Sequence, residues 1–131
     1  MTFVDSSAWY ALYVPADERH LDACRWMSAN RGALFTTDYV IDETLTLMRS
    51  RGHREIALDF GTTAFKKVLA TVYFLPPKDI DAAWQVFRDF DDKDWSFTDC
   101  TSKVAIEQFG FETAFTFDHH FRQFGTVVVV P

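Results

Sequence analysis

Four acidic residues stand where an apolar stretch gives way to a helical pattern. They are Asp5 in TFVDSSAW, Glu43 in YVIDETLTL, Asp99 in SFTDCTS and Asp118 in AFTFDHHF. Carboxylates that are brought together repel one another, and they take up protons unless a cation neutralises them. Oxygen ligands without paired Cys or His favour a hard ion, Mg²⁺ or Mn²⁺. Because such an ion polarises a phosphoryl oxygen and activates water, the pattern predicts phosphodiester hydrolysis.

Three of these acids also have a simpler or a competing interpretation. Asp99 follows Ser96 by three residues, which is the spacing of a capping box, and a carboxylate there favours the positive helix N-terminus. Asp5, which precedes two serines, fits an ordinary N-cap. Glu43 has an acidic neighbour, Asp42, and on a helix the two side chains point about 100° apart, so only one can face a site. The residues alone leave these alternatives open.

The composition is that of a densely packed globular protein. The chain has 131 residues, of which 48% are hydrophobic and 14 are phenylalanine, and this predicts a single domain over residues 1–131. A net charge of −6 argues against a passive nucleic-acid binder, but not against an enzyme whose acids hold cations. Cys24 and Cys100 form no CxxC pair, so we expect small buried thiols rather than zinc ligands or a disulfide.

The sequence shows no membrane or export signal. It contains no apolar run of 18 residues, which a membrane-spanning helix would need. Its first residues enter a predicted strand at once and include no basic segment of the kind that begins a signal peptide. We therefore expect a cytoplasmic protein.

Strand and helix patterns alternate along the chain. Strands are expected at 2–4, 33–36, 71–75, 114–116 and 126–130. Helices are expected at 6–14, 16–31, 39–50, 54–69, 78–91 and 98–109, with a short helical turn at 119–123. Such alternation predicts a parallel sheet with helices on both faces, a three-layer α/β/α fold. The apolar run Val127–Val130 predicts a strand that is buried on both sides.

This topology places some of the acids together. Ligands of an open parallel sheet bind beyond the carboxyl ends of its strands. Asp5 and Asp118 follow strands directly, and Glu43 lies in the first turns of the helix after the second strand. Asp99 opens a helix that precedes a strand, so topology alone does not bring it to this edge. Its capping pattern is what suggests that it faces the other three.

The four acidic motifs, in this order and over a chain of this length, resemble the PIN domain, in particular the VapC-type toxins of bacterial toxin–antitoxin modules. The resemblance runs from Asp5 to the final valine strand. It implies a five-stranded parallel sheet and a Mg²⁺- or Mn²⁺-dependent endoribonuclease. Asp5, Glu43 and Asp99 would be the core acids, and Asp118 would complete the metal site. A homodimer and a cognate antitoxin that covers the site are implied as well.

The resemblance also implies supporting roles for small hydroxyl residues. Ser7 follows the first acid, and Ser96 or Thr98 precedes the third. Their hydroxyl groups would hydrogen-bond a carboxylate, water or phosphate and hold the metal ligands in place.

The two adjacent histidines, His119 and His120, have no third nitrogen or sulfur ligand at a suitable spacing. Solvated or structural side chains are the expected interpretation, with a general-base role as the alternative. This double histidine is unusual for the family pattern.

One local basic cluster, formed by Arg49, Arg51, His53 and Arg54, fits a solvated helix end, because cations favour a helix C-terminus. The alternative is a set of contacts to an RNA backbone. For Trp9 and Tyr10, just past Asp5, a place at the pocket or at a partner surface competes with burial.

Other functions remain open on the sequence. A PIN nuclease that processes RNA without an antitoxin would carry the same acids. A non-catalytic interaction module could retain the fold, although it would have no reason to keep repelling carboxylates. A phosphotransferase of the haloacid-dehalogenase or receiver type also uses a strand-end Asp. The former expects a second Asp where Ser7 stands, and the latter needs paired acids at its first strand and a strand-end Lys, which are missing.

Overall fold

A computed structural model describes all residues, 1–131, and contains five strands, six α-helices and one 3₁₀ helix. The strands are β1 (Thr2–Val4), β2 (Leu34–Thr37), β3 (Thr71–Tyr73), β4 (Thr113–Phe115) and β5 (Val128–Val130). The α-helices are α1 (Ser6–Tyr13), α2 (His20–Ala29), α3 (Asp38–Ser50), α4 (Arg54–Phe65), α5 (Pro77–Asp89) and α6 (Phe97–Phe109). The 3₁₀ helix is His119–Phe124.

The five strands form one sheet in the order β3-β2-β1-β4-β5, and every pairing is parallel. From β1 the chain moves outwards through β2 to β3, then returns to the other side of β1 to form β4 and β5. The direction of winding therefore reverses between β1 and β4. In such a sheet the reversal opens a crevice beyond the carboxyl ends of the two strands.

Helices cover both faces of the sheet, as the three-layer prediction requires. Residues in register point to the same face, and successive residues of a strand point to opposite faces. On one face, α1 reaches β2 through a hydrogen bond from the Trp9 indole to Thr36. On the other face, Phe3 of β1 packs against Phe35, and Phe121 of the 3₁₀ helix lies 6.2 Å from Phe3 between ring centroids.

Polar residues at the start of helices set where the helices begin. The Thr37 hydroxyl accepts the Val40 N–H and begins α3, and Asp5 caps α1. Ser96 and Asp99 form a full capping box at α6, as the sequence predicted. Helix α6 ends at Gly110, whose φ of 67° lies in the left-handed region that glycine adopts without a steric cost.

Two helices are shorter than predicted by four residues at one end. Helix α2 begins at His20 rather than Ala16, because Asp17 accepts the backbone N–H of Arg19 and supports a turn instead. Helix α4 ends at Phe65 rather than continuing to residue 69, since Lys67 adopts a φ of 58° that no α-helix accommodates.

The predicted burial of the last strand on both sides is wrong. Strand β5 lies at the edge of the sheet and pairs only with β4. Val128 is 65% exposed, and Val129 and Val130 are half-buried. β-Branched residues favour a pleated strand at an edge as well as at the centre, so their run predicted the strand but not its position.

Trp9 and Tyr10 are not at an exposed pocket or surface. Trp9 is 1% exposed and packs against Phe60, with ring centroids 5.7 Å apart. Tyr10 is 7% exposed. Both belong to the core, which also contains the buried thiol of Cys100. None of the helices has the length and apolarity needed to cross a membrane.

We expect Phe3→Ala to destabilise the fold strongly. The side chain is fully buried on the central strand, so truncation leaves a cavity between the rings it contacts and lowers the free energy of unfolding by about 3–5 kcal/mol. The matched control is Val128→Thr on the exposed edge, where we expect a change within about 0.5 kcal/mol. Urea denaturation measures both, and equal losses would contradict the assignment of β1 to the centre.

Candidate active site

The four acids gather at the crevice between β1 and β4. Asp5 directly follows β1, and Asp118 follows β4 by three residues. Since these strands are neighbours, both carboxylates lie at the same sheet edge. Glu43 is reached from α3, which follows β2, and Asp99 from the first turn of α6. The charges of Asp99 and Glu43 raise the pKa of Asp5, and those of Asp118 and Glu43 raise the pKa of Asp99. The four carboxylates are therefore close enough to repel one another.

Asp5 is 2% exposed and is held by hydroxyl groups from both neighbouring elements. The Ser7 hydroxyl donates to Oδ2 at 2.9 Å, and the Thr116 hydroxyl donates to the same oxygen at 3.0 Å. The Ser6 hydroxyl lies 3.4 Å from Oδ1. These contacts fix the carboxylate at a position that its capping role alone would leave free to rotate.

The structure distinguishes Glu43 from its acidic neighbour. The Ser6 hydroxyl donates a hydrogen bond to Glu43 and also lies beside Asp5, so it connects the two acids. Asp42, in contrast, is exposed to solvent. The sequence left open which of Asp42 and Glu43 faces the other acids. In the structure Glu43 faces Asp5 and Asp42 faces solvent.

Asp99 caps its helix and faces the other acids at the same time. Its Oδ2 accepts the Ser96 backbone N–H at 3.0 Å, while its own N–H donates to the Ser96 hydroxyl at 3.0 Å. The same Oδ2 lies 3.1 Å from Nδ1 of His120. Asp99 is 4% exposed. The capping interpretation therefore does not exclude the site interpretation, because the same carboxylate caps α6 and faces the other acids.

Asp118 and the histidines form the more open side of the site. The Asp118 carboxylate accepts the His120 backbone N–H at 2.9 Å, and its Oδ1 lies 3.3 Å from Nδ1 of His120. The His119 side chain is 78% exposed, as expected for a solvated histidine, whereas that of His120 is only 19% exposed. Ligand atoms of Asp118, His119 and His120 lie within 4.8 Å of one another, so this group also has the geometry to contribute to a metal site.

Burial and mutual repulsion perturb the carboxylates. Burial is the main cause that raises the pKa of Asp5 to about 7, and the nearby Asp99 and Glu43 raise it further. Burial likewise raises the pKa of Asp99, with Asp118 as the next cause. Ionised carboxylates in such a place lack a counter-charge. Their oxygen donors match those that Mg²⁺ and Mn²⁺ prefer, so the residues fit a divalent cation.

The supporting hydroxyl residues differ in what they contact. Ser7 hydrogen-bonds Asp5, while Ser96 serves as a cap for α6 and Thr98 offers its carbonyl oxygen to Thr101 rather than its hydroxyl to an acid. Sequence reasoning missed two residues that contact the acids, Ser6 and Thr116. Thr116 was detectable as a hydroxyl residue at the end of a strand next to β1. His120 was considered as a solvated or structural side chain or a general base, but its contact with Asp99 could not be predicted because it joins residues from separate elements.

The predicted basic cluster does not border the acids. Arg51 follows Glu43 by eight residues along α3, which is about 12 Å of helix away from the sheet edge. Its guanidinium lies 4.9 Å from the centroid of the Tyr10 ring. Arg54 lies 3.5 Å from Glu55, and Arg49 is exposed. The three arginines therefore surround the junction of α3 and α4 rather than the crevice.

A fold of this topology with carboxylates at the crevice is that of the PIN domain, and the chain belongs to this family: the PIN domain model matches residues 2–127. The chain is 32% identical over 132 residues to the 23S rRNA-specific endonuclease VapC20 of Mycobacterium tuberculosis, from strains CDC 1551 / Oshkosh and ATCC 25618 / H37Rv. Each alignment covers 100% of this chain and 99% of the relative.

The crystal structure of Mycobacterium tuberculosis VapC20, described as a sarcin-ricin loop cleaving toxin, has the same fold. It matches with a TM-score of 0.93 and 28% sequence identity, and each chain is covered to 100%. The predicted family and the predicted five-stranded α/β fold are thereby confirmed.

We expect the metal-free protein to lose stability as pH rises. The folded pKa of Asp5, about 7, exceeds the ordinary value of 3.8, so the folded state binds more protons than the unfolded state between these values. The free energy of unfolding then falls between about pH 4 and pH 7, by an amount on the order of a few kcal/mol. Denaturation in EDTA across this range measures the slope.

The Asp5→Asn variant provides the comparison. It removes the titrating group, so its stability should exceed that of the native chain at pH 8 in EDTA and vary less with pH. Asp42→Asn, which changes an exposed acid, serves as the control and should keep the native slope. A native protein whose stability rises from pH 4 to pH 7 would contradict the raised pKa of Asp5.

Proposed function

We propose that this protein is a metal-dependent endoribonuclease that hydrolyses phosphodiester bonds of RNA, and that it is the toxin of a type II toxin–antitoxin module. The observation that carries the proposal is the convergence of four carboxylates at the crevice of a PIN-family chain, with Asp5 and Asp99 buried and their pKa values raised. Such perturbed acids in a cleft are typical of functional sites.

In this proposal Asp5, Glu43, Asp99 and Asp118 hold Mg²⁺ or Mn²⁺. The chemistry that such an ion supplies when bound is polarisation of the phosphoryl group and activation of water. The chain's own contribution is to hold the carboxylates rigidly: Ser7 and Thr116 orient Asp5, Ser6 orients Glu43, and the capping box orients Asp99. Residues that fix metal ligands in this way affect both metal affinity and activity.

The substrate class and the partners are proposed from similarity over the whole chain. The relative is described as specific for 23S rRNA, and we propose ribosomal RNA as the substrate class here. We further propose a cognate antitoxin that covers the site, a homodimer and action in the cytoplasm. An RNA-processing nuclease without an antitoxin is the second candidate, because it would need the same carboxylates.

Cleavage of a mixed ribosomal RNA and tRNA pool tests the activity. Purified protein freed of any bound partner should cut RNA with Mg²⁺ or Mn²⁺ and not with EDTA. Asp99→Asn keeps a capping side chain but removes a charge, so we expect cleavage to fall by at least about 100-fold. Asp94→Asn, an exposed acid just before the same cap, is the matched control and should retain activity.

Different results would redirect the proposal. Cleavage that persists in EDTA or in Asp99→Asn would rule out the proposed metal site. Absence of cleavage from well-folded protein would favour a non-catalytic interaction module. Expression in a bacterial host separates the two nuclease candidates, because growth arrest that is relieved by a neighbouring short reading frame identifies a toxin.

His120 is expected to position the acids on which cleavage depends. Its Nδ1 lies close to both Asp99 and Asp118, so we expect His120→Ala to lower cleavage by about 10- to 100-fold. An asparagine places a nitrogen donor near the position of Nδ1, and His120→Asn should recover most of the loss. Divalent-metal affinity, measured by calorimetry, should follow the same order. Asp94→Asn, an exposed acid away from these contacts, is the control and should keep native cleavage and metal affinity. Cleavage by His120→Asn no better than that of His120→Ala would contradict the positioning role of His120.

A further inference from the structure

A cleft of about 630 Å³ opens beside Asp118. This volume lies within the range of pockets that hold small ligands, roughly 300–1,000 Å³. The cleft lies between α2 with its preceding turn, the segment that follows β4, and the last strand. The residues that matter to its chemistry are Arg19, Arg25, Trp26, Phe117, Asp118 and Arg122.

The cleft concentrates positive charge in an acidic protein. The chain carries a net charge of −6, yet this one cavity is lined by three arginines against two aspartates, Asp22 and Asp118. Arg25 has an acidic neighbour, with 3.8 Å between its guanidinium and the Asp22 carboxylate. Arg19 and Arg122 form no ion pair. Two free guanidinium groups that share a cavity are suited to an anion, in particular to phosphate oxygens.

The aromatic side of the cleft is connected to the acids by hydrogen bonds. Phe117 is half-buried, its ring centroid lies 5.8 Å from the Arg19 guanidinium, and it immediately precedes Asp118. The Phe117 backbone N–H donates to the Ser7 hydroxyl at 2.9 Å, and Ser7 donates to Asp5. A ligand that contacts Phe117 therefore lies beside Asp118 and close to Asp5.

We propose that this cleft binds the RNA nucleotide next to the scissile phosphate, with Arg19 and Arg122 on the adjoining backbone phosphate and Phe117 against the base or sugar. The inference rests on the proposed nuclease function and assigns a substrate-binding site to it. An RNA strand with one phosphate at the acids must continue past Asp118, and the cleft offers it cations and an aromatic surface. The basic cluster at Arg49, Arg51 and Arg54 lies away from this path.

Binding of a fluorescein-labelled single-stranded RNA in EDTA, followed by anisotropy, tests the cleft without any cleavage. Arg19→Ala and Arg122→Ala should each raise Kd about 5- to 10-fold at low salt. Each should also reduce the slope of log K against log salt by about 0.7, the value for one lost phosphate contact to a single strand. Arg49→Ala is the matched control, and its Kd should stay within about twofold of the native value. Arg122→Lys should recover part of the affinity by restoring the charge.

Kinetics separate this proposal from the nuclease function on which it rests. In RNA cleavage, Arg19→Ala and Arg122→Ala should raise KM with little change in kcat. Hydrolysis of bis(p-nitrophenyl) phosphate, which is too small to extend along the cleft, should be the same in the variants as in the native protein. The native protein could bind RNA through these arginines and yet cleave neither substrate. That result would overturn the nuclease proposal and support the proposal that the cleft binds RNA.

Two outcomes would overturn the cleft proposal itself. The first is native RNA binding and cleavage by Arg19→Ala and Arg122→Ala together, or a loss no larger than that of Arg49→Ala. The second is a pair of results for Arg19→Ala and Arg122→Ala: they still bind RNA, but they no longer bind the protein encoded by the neighbouring short reading frame. In that case the cleft takes an acidic protein segment rather than RNA.

Discussion

The repulsion between buried carboxylates is the constraint on which the rest of this structure depends. Asp5 is 2% exposed and Asp99 is 4% exposed, and each stands in the field of other acids. A charge in such a place is costly unless hydrogen bonds or a cation compensate for it. The hydroxyl groups of Ser7 and Thr116 supply part of the compensation, and the remainder is available to a bound divalent ion.

Helix starts supply the second part of this compensation. Asp5 caps α1, Asp99 completes the capping box that Ser96 begins at α6, and Asp118 caps the 3₁₀ helix, so three of the four acids accept backbone N–H groups. The positive end of a helix favours a carboxylate, and the capping geometry leaves its second oxygen or a second lone pair for other partners. Capping and metal binding are thus not alternatives here. The same contacts that begin the helices keep the carboxylates together.

The protein also separates its charges in space. The acids gather where winding of the sheet reverses, and arginines 19, 25 and 122 line the cleft beside Asp118. A polyanionic substrate is repelled by the carboxylates until a cation neutralises them, so attraction has to come from neighbouring groups. In the proposed nuclease, these groups in one cleft would attract the RNA backbone on one side of the site while the net charge stays at −6.

The sequence by itself determined the alternation of strands and helices and the family, and it marked Asp5, Asp99, Asp118 and one of Asp42 and Glu43 as candidate site acids, because periodicity, caps and short motifs are local properties. Only the tertiary structure decided that Val128 lies at an exposed edge, that Glu43 rather than Asp42 faces Asp5, and that His120 lies between Asp99 and Asp118. It also placed the arginines of the cleft beside Asp118, away from the cluster at Arg49. These facts depend on which distant segments pack together, and the periodicity of a single helix or strand does not specify which segment it contacts.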